Sequence, residues 1–507
     1  MTYFKQNLQS YFRKPILWQL LVVVIFYSIY LITGITNHYL FRSYAFDYGV
    51  YNFAFWDYSH FHLSNCPIYD VNDSKANFLQ DHFSLTLFFL TPFYWLLNWL
   101  TGTYTLIVLQ TTLVVASGWI LLKYITLKSN NSWIGLGAML YYFLMQARYA
   151  SFSNDCNLAI FSFCTIPFFL YYFERKKYLV SIIVFLIALV SREDMSLSFI
   201  FILATLIIIH WREKERLFYC TLLIILSISY FIILFTLIIP SLEEPGKHYS
   251  LFTFSALGEN PLEAIKFIFN NPIKTFNLLF SNQLNDSKFD GVKTEFYLTY
   301  LISGGFVLIF RPQFIIWFIP IIAQKMLNDA PVRWSIDGYY AVPVATLIPI
   351  SVFLIISKIK KIKYAYGASL LFCLLAWYAT DHSFNRDLRT IPYTETLKEN
   401  VFDANFFKSK LNINKVYQSL DLIPETAKVS ASSLYLPHLS QRKCIYNFPH
   451  VGDAEFIVVH QLWDNFYIPE DQYLSTVQNY LHNSEWIIIC NDFPFLLLKR
   501  KKIAMYK

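Results

Sequence analysis

The sequence predicts a polytopic α-helical membrane protein with a small extracytoplasmic α/β domain at its C-terminal end. Hydrophobic residues make up 56% of the 507 residues and charged residues only 15%, whereas soluble proteins have roughly 25% charged residues. Long apolar runs alternate with clusters of Lys and Arg, and the sequence becomes polar after about residue 381. Together these observations indicate an integral membrane protein with one polar domain.

The cation clusters predict the topology. They are Lys5 with Arg13 and Lys14, Lys123 with Lys128, residues 174–177, residues 211–216, Arg311, and residues 358–363. Loops rich in Lys and Arg stay in the cytoplasm, because carrying cations across the bilayer is costly. This predicts a cytoplasmic N-terminus and an extracytoplasmic C-terminal domain. The net charge of +7 then reflects topology, and no nucleic-acid partner is expected.

A span needs about 20 apolar residues, and we predict about eleven of them. They lie near residues 15–34, 104–125, 133–150, 157–173, 178–192, 195–210, 217–239, 294–310, 312–327, 340–357 and 364–380. The apolar run 82–100 is excluded, because a crossing there would move the later cation clusters outside. Its Pro92 and Trp95 favour a re-entrant or interfacial segment.

Two domains follow from this reading. Residues 1–380 form the transmembrane domain, with long outer loops at 35–103 and 240–293. Within the second loop, segment 260–280 has the helical spacing of an amphipathic helix that lies on a membrane surface. The extracytoplasmic domain, 381–507, is predicted to contain a helix at 469–483 and five strands, at 427–433, 443–448, 455–460, 485–490 and 494–500.

The first outer loop contains the sequence FRSYAFDYGVYNFAFWDYSHFH at 41–62. Asp47 lies just beyond the first span, and the aromatic residues after it have helical spacing. A carboxylate at a helix start suits the helix dipole, so Asp47 is interpreted either as a cap or as a functional group. In the functional interpretation it is a general base or a metal ligand at a membrane-edge cavity.

The same loop continues with NFLQDHFSLT at 77–86, where Asp81 and His82 precede the apolar run. An Asp–His pair beside a membrane can take a proton, bind a cation or contact a phosphate. The alternative is a solvated helix start. We therefore predict His82 as a catalytic residue, Asp81 with Asp47 as metal ligands, and a divalent cation as the candidate cofactor.

The triplet Arg192, Glu193 and Asp194 interrupts one apolar stretch, between two short predicted spans. Charges at membrane depth are costly and usually face a cavity or each other. A site role therefore competes with a plain turn that contains an internal ion pair. In the site interpretation Glu193 and Asp194 are catalytic and Arg192 binds the donor.

Two further outer residues suit a phosphate. Arg333, in APVRW, can make paired hydrogen bonds to phosphate oxygens, and His248, in GKHYS, is a second candidate. The motifs GxxxxGKS/T, GxGxxG, HExxH and GxSxG are absent from the sequence, so nucleotide hydrolysis is not expected.

These segments resemble the bacterial predicted-membrane-protein family known as domain of unknown function 2079. The family pattern reads roughly D-x-G-x-[FY]-x-Q-x-x-W, then H-F-[SP], then K/R-E-D. The residues that fit it are Asp47, Gly49, Trp56, His82, Phe83, Arg192, Glu193 and Asp194. Segment 429–449 is similar to the outer tail of the family. The chain departs from the pattern at Asn52 or Phe53, where Gln is usual, and at 337–343, where a His is expected before the Tyr.

The layout of that family is similar to the GT-C glycosyltransferases, in which an acidic residue follows the first span. The resemblance implies a glycosyltransferase in the bacterial inner membrane, with Asp47 at the position of the catalytic acidic residue. It also implies a polyprenyl-phosphate-linked sugar donor used on the outer face, with membrane lipid as a further partner. A transporter and a non-catalytic envelope-assembly protein remain the alternatives.

Overall fold

The computed structural model describes residues 15–72, 77–153, 156–242, 252–384, 398–464 and 468–501. It is 69% helical, and a small sheet lies near the C-terminal end of the chain. The predicted combination of a helical membrane portion with a small α/β portion is therefore confirmed at this level.

Within the described residues, five helical segments are long and apolar enough to cross a membrane. They are Pro15–Tyr39, Thr86–Ser129, Lys214–Leu242, Pro331–Ile356 and Ile362–Phe384. Four of the predicted spans correspond to shorter apolar helices, Ser132–Leu144, Leu158–Glu174, Tyr178–Leu189 and Met195–Ile209. An α-helix rises about 1.5 Å per residue, so each of these four is shorter than a hydrocarbon core of about 30 Å. The number eleven stays a prediction.

The chain divides into two compact units. Unit 1 contains residues 1–31, 110–154 and 158–400, and unit 2 contains residues 32–109, 155–157 and 401–507. The first predicted outer loop and the C-terminal part of the chain thus belong to one unit, although the sequence separates them widely.

Bonded polar groups accompany the aromatic core of unit 1. The buried Tyr30 hydroxyl donates to Phe143 O at 2.6 Å. The fully buried Arg148 guanidinium donates to Thr346 Oγ1 at 2.7 Å and lies 4.0 Å from the centre of the Tyr142 ring. A buried polar group is costly unless it is bonded, and these contacts offset part of that cost, although Arg148 Nε has no hydrogen-bond partner among the described residues.

The segment predicted as an amphipathic helix is helical in unit 1. It forms two helices, Pro261–Asn270 and Pro272–Leu278. Asn260 begins the first of them, because its side chain accepts a hydrogen bond from Glu263 N at 3.0 Å. The other helical segments of this region are Val292–Ile302, Gly305–Phe310, Pro312–Phe318 and Ile319–Met326.

The apolar run 82–100 of unit 2 forms helix Thr86–Thr101. It packs on helix Val50–Ser59, where the rings of Tyr58 and Phe88 stack with centroids 3.9 Å apart. Gly102 has φ of 51°, a conformation that glycine adopts readily, and it separates this helix from helix Thr105–Ser129. The run is thus a helix distinct from the one that follows it.

The sheet of unit 2 has five strands, and they match the five predicted ones. They are β1 Val429–Ala431, β2 Ile445–Asn447, β3 Phe456–His460, β4 Trp486–Asp492 and β5 Phe495–Arg500. Their order is β2-β1-β3-β5-β4, with β1 parallel to β2 and β3, and β5 antiparallel to β3 and β4. The predicted helix is Glu470–His482, whose Tyr473 and Val477 are buried against the sheet core.

Contacts in unit 2 also join the end of the first long helix, and the chain just after it, to the C-terminal part. The Arg42 guanidinium donates to Phe406 O at 2.8 Å and to Lys408 O at 2.6 Å. The rings of His38 and His438 stack with centroids 3.9 Å apart and an angle of 7°. These pairs lie far apart in sequence, so unit 2 is held together by long-range contacts.

Candidate functional site

Asp47 lies in a π-helical turn, Ala45–Gly49, which continues into helix Val50–Ser59. Gly49 N–H donates to Tyr44 O at 3.1 Å, five residues earlier, as a π turn requires. The helical segment begins at Ala45 and Tyr44 holds the N-cap position, so Asp47 is not the cap itself but lies in the first turn, where a carboxylate suits the helix dipole. Single π turns are rare and occur frequently at functional sites.

The Asp47 carboxyl lies among charged neighbours. Burial raises the pKa of Asp47 to about 6; the positive charge of His82 opposes this rise and the negative charge of Asp81 adds to it. Within the described part of the chain, no group donates a hydrogen bond to the Asp47 carboxylate. A carboxylate with a pKa near 6 and no bound donor can accept a proton near neutral pH.

Asp81 is the last residue of a short helical turn, Phe78–Asp81, and His82 follows it. Asn77 begins this turn with a capping box, in which its side chain accepts from Gln80 N and Gln80 Oε1 accepts from Asn77 N. The Asp81 carboxylate accepts a hydrogen bond from the Tyr69 hydroxyl at 3.0 Å, and His82 Nε2 lies 3.6 Å from it. About a third of each side chain is exposed (32% for Asp81, 35% for His82). The structure therefore brings Asp47, Asp81 and His82 together.

Asp57 is a second carboxylate of the segment 41–62, and no local pattern singled it out as a candidate. It is 2% exposed and accepts hydrogen bonds from Ser64 N at 2.7 Å and Ser64 Oγ at 2.8 Å. His62 Nδ1 lies 3.8 Å away. Because its oxygens bind the loop after helix Val50–Ser59, its role is structural.

We expect Asp57→Asn to lower the free energy of unfolding by about 1 kcal/mol, because the amide offers one acceptor oxygen where the carboxylate offers two. Thermal unfolding of the purified protein in detergent measures this change. Asp471→Asn, on the exposed side of helix Glu470–His482, is the matched control. An Asp57→Asn protein with an unchanged unfolding midpoint would contradict the structural role.

The charged triplet of unit 1 connects helices Tyr178–Leu189 and Met195–Ile209. Arg192 Nη2 lies 2.8 Å from Asp194 Oδ2, so the ion pair expected of a plain turn is present. The second oxygen, Asp194 Oδ1, is buried and has no hydrogen-bond partner among the described residues. Burial raises the pKa of Asp194, and the charges of Arg192 and Arg333 oppose that rise. Arg333 is thus close to the triplet.

A buried lysine extends this group, and the sequence analysis missed it. Lys325 is 5% exposed, and its ammonium donates to Ser335 O at 2.6 Å. The charges of Asp337 and Arg333 act on it. Asp194, Arg333, Lys325 and Asp337 are therefore coupled through their charges, and the Arg and Lys side chains among them are residue types that bind phosphate. The sequence contained one signal for this residue, since Lys325 is a lone lysine inside a predicted apolar span.

Two further residues, Arg333 and His248, were predicted to bind phosphate. Arg333 is partly exposed, with its guanidinium 5.8 Å from the centre of the Tyr340 ring. His248 lies outside the described residues.

The arrangement of the His, Cys, Asp and Glu side chains bears on the predicted metal site. In the part of the chain that the structure describes, no group of three or more His, Cys, Asp or Glu side chains is placed to hold a metal ion. Asp47 and Asp81, with His82, do not form such a set. The described residues around Asp47 therefore do not fit a resident divalent cation, and no reaction step below uses one.

Comparisons with known proteins place the chain in a family. No curated protein matches it. A family model described as a predicted membrane protein, DUF2079, matches residues 37–500. That range contains Asp47, His82, the charged triplet and Arg333. The chain therefore belongs to the predicted membrane protein family DUF2079.

Proposed function

We propose that this membrane protein is a glycosyltransferase that moves a sugar from a polyprenyl-phosphate-linked donor to an acceptor hydroxyl on the outer face of the membrane. The observation that carries the proposal is the Asp47 carboxylate, which has a pKa of about 6, no hydrogen-bond donor among the described residues, and His82 and Asp81 as charged neighbours. The resemblance in layout to the GT-C glycosyltransferases supports the reaction class.

In the proposed reaction Asp47 is the general base. Its carboxylate takes the proton of the acceptor hydroxyl while the hydroxyl oxygen forms a bond to the anomeric carbon of the sugar. The bond from that carbon to the phosphate oxygen breaks, and polyprenyl phosphate leaves with the electron pair. One displacement inverts the anomeric centre. His82 and Asp81 set the proton affinity of Asp47 through their charges.

The leaving phosphate carries negative charge that cations must stabilise. We assign this role to Arg192 and Arg333, with His248 as an additional donor-binding residue. Asp194 orients the Arg192 guanidinium through their 2.8 Å ion pair, and the negative charge of Glu193 acts on Asp194. Guanidinium groups suit the task because they bind phosphate oxygens in pairs.

The proposal includes the membrane placement that the cation clusters predict. The protein lies in the bacterial inner membrane with a cytoplasmic N-terminus, about eleven crossings and outer loops at 35–103 and 240–293. Residues 381–507 form the extracytoplasmic domain. Cysteine labelling that reaches position 47 only from the cytoplasm would contradict this placement.

Reconstitution tests the reaction. Purified protein in liposomes is supplied with a radiolabelled polyprenyl-phosphate sugar, and label in the acceptor or in water-soluble sugar is measured over time. Transfer that requires active protein supports the enzyme. Movement of labelled lipid between leaflets without transfer indicates a transporter instead, and neither activity indicates a non-catalytic role in envelope assembly.

Arg333→Ala is expected to raise the KM for the lipid-linked donor about 10-fold, because one charge-assisted contact to phosphate is lost. Arg333→Lys keeps the charge but not the paired geometry. Its KM is therefore expected to lie between those of the wild type and Arg333→Ala. Initial rates at varied donor concentration measure both values. An unchanged KM in Arg333→Ala would remove this residue from the donor site.

A further inference from the structure

We propose that Ser433 is a positioning residue for the turn that carries Asp47, an inference that rests on the proposed function. Ser433 belongs to the segment 432–436 that follows β1. Its hydroxyl oxygen accepts a hydrogen bond from Ala45 N–H at 3.1 Å, across 388 positions of sequence. Ala45 is the first residue of the π-helical turn, so the C-terminal part of unit 2 binds the start of the proposed catalytic segment.

The hydrogen bond from Ala45 N–H to Ser433 caps the start of the helical turn, a role that a side chain close in sequence usually has. The first N–H groups of a helix have no partner inside it, and a cap residue or an acidic residue in the first turn accepts from them. Tyr44, at the cap, makes no side-chain cap bond. The carboxylate of Asp47, at the third helical position, accepts no hydrogen bond within the described residues. Because Ser433 supplies an acceptor, Asp47 is left available for a substrate proton.

Ser433 is itself held firmly. It is 7% exposed, and its neighbour Leu434 donates through N–H to Asp464 Oδ2 at 3.3 Å. On its other side, Ser432 Oγ accepts from His460 N at 2.8 Å. The segment is therefore anchored to β3 and to the loop after it, which gives Ser433 the rigid support that a positioning group needs.

The same segment also contacts the far end of the turn. A Cβ built on Gly49 would lie 2.6 Å from Leu436 Cδ2, so the absence of a side chain at Gly49 permits this close approach. Leu436 begins the short helix Leu436–Leu439. The turn is thus held at Ala45 by a hydrogen bond and at Gly49 by packing.

The charged groups around Asp47 do not include Ser433 or its neighbours. The charges that act on Asp47 come from His82 and Asp81, and Tyr69 binds Asp81. The helix Leu436–Leu439 contributes His438, which stacks on His38. Replacing Ser433 removes no charge, so a change in the titration of Asp47 would report a change in the geometry of the turn.

The test compares three variants in the full-length protein. Ser433→Ala removes the acceptor, and Ser433→Thr keeps it. Ser430→Ala is the matched control, because Ser430 is also buried, lies in β1 and binds His450 O at 2.8 Å. The readouts are kcat and donor KM for sugar transfer, and the titration of the Asp47 carboxyl by infrared difference spectroscopy against Asp47→Asn.

We expect Ser433→Ala to lower kcat about 10-fold with little change in donor KM, because a misplaced catalytic group loses rate. Its Asp47 titration is expected to move to lower pH, as the carboxylate turns to the free Ala45 N–H. Ser433→Thr should restore both readouts, and Ser430→Ala should change neither. Wild-type kcat and titration in Ser433→Ala would overturn the inference.

The infrared titration separates this inference from the proposed function. A wild-type protein without transfer activity contradicts the glycosyltransferase proposal, whereas the titration of Asp47 still tests Ser433 without a reaction. Should Ser433→Ala fail to fold, Ser433→Cys replaces it, since a thiol has similar size but accepts hydrogen bonds weakly. An unshifted titration in that variant would again overturn the inference.

Discussion

Asp47→Asn is expected to reduce kcat/KM for sugar transfer by about 10²–10⁴-fold, the range that a general base contributes. The amide has nearly the same shape as the carboxylate but cannot take the acceptor proton. Asp471→Asn, with an exposed carboxyl on helix Glu470–His482, should keep wild-type activity. Transfer of radiolabelled sugar in proteoliposomes measures both, and full activity in Asp47→Asn would exclude this base.

The same assignment predicts a pH profile with a definite sign. The base acts when it is deprotonated, so the wild-type rate should fall as the pH drops below about 6, the pKa of Asp47. His82→Gln removes a positive charge and should move this fall in rate on the acidic side of the profile to higher pH. Asp81→Asn removes a negative charge and should move it to lower pH. Shifts in the opposite directions would contradict the electrostatic arrangement around Asp47.

Acid is expected to destabilise unit 2 through His438. Burial lowers the pKa of His438 from 6.5 to about 3, and its Nε2 is buried without a hydrogen-bond partner among the described residues. Below pH 6.5 the unfolded chain binds a proton that the folded chain does not bind until the pH nears 3, so stability falls as pH falls. At pH 5 this lowers the free energy of unfolding by about 2 kcal/mol relative to neutral pH.

His438→Phe keeps a ring against His38 but removes the titrating group. The thermal unfolding midpoint should therefore decrease less between pH 7 and pH 5 in this variant than in the wild type. Scanning fluorimetry in detergent at the two pH values measures the difference. His482→Phe, at an exposed position on the same part of the chain, should keep the wild-type difference; equal losses in His438→Phe and wild type would contradict the prediction.

The sequence predicted the C-terminal sheet well because each strand has a strong local signal. The isoleucine-rich run at 485–490 and the leucine-rich run at 494–500 read as strands, and they form β4 and β5. The number of membrane crossings was harder to predict. Apolar runs such as 133–150 look long enough on composition, but the helix there ends at Leu144, where the backbone at Met145 becomes extended.

The candidate site was predicted in part. Asp47, Asp81 and His82 occur in motifs of one loop, and local patterns were enough to select them. Lys325 was missed because its single charge lies inside an apolar run. Ser433 could not be found from sequence, because its partner Ala45 is 388 positions away and a serine after a strand is unremarkable in itself.

The bonds from Arg42 to Phe406 O and Lys408 O span 364 and 366 positions, and this distance has a consequence for biosynthesis. At roughly 5–20 residues per second, a ribosome needs about 20–70 s to make the chain between them. Nascent protein therefore carries an unfinished early loop through most of its translation. A premature stop codon before position 406 would leave that loop without its late-made partners, even with every preceding membrane helix already synthesised.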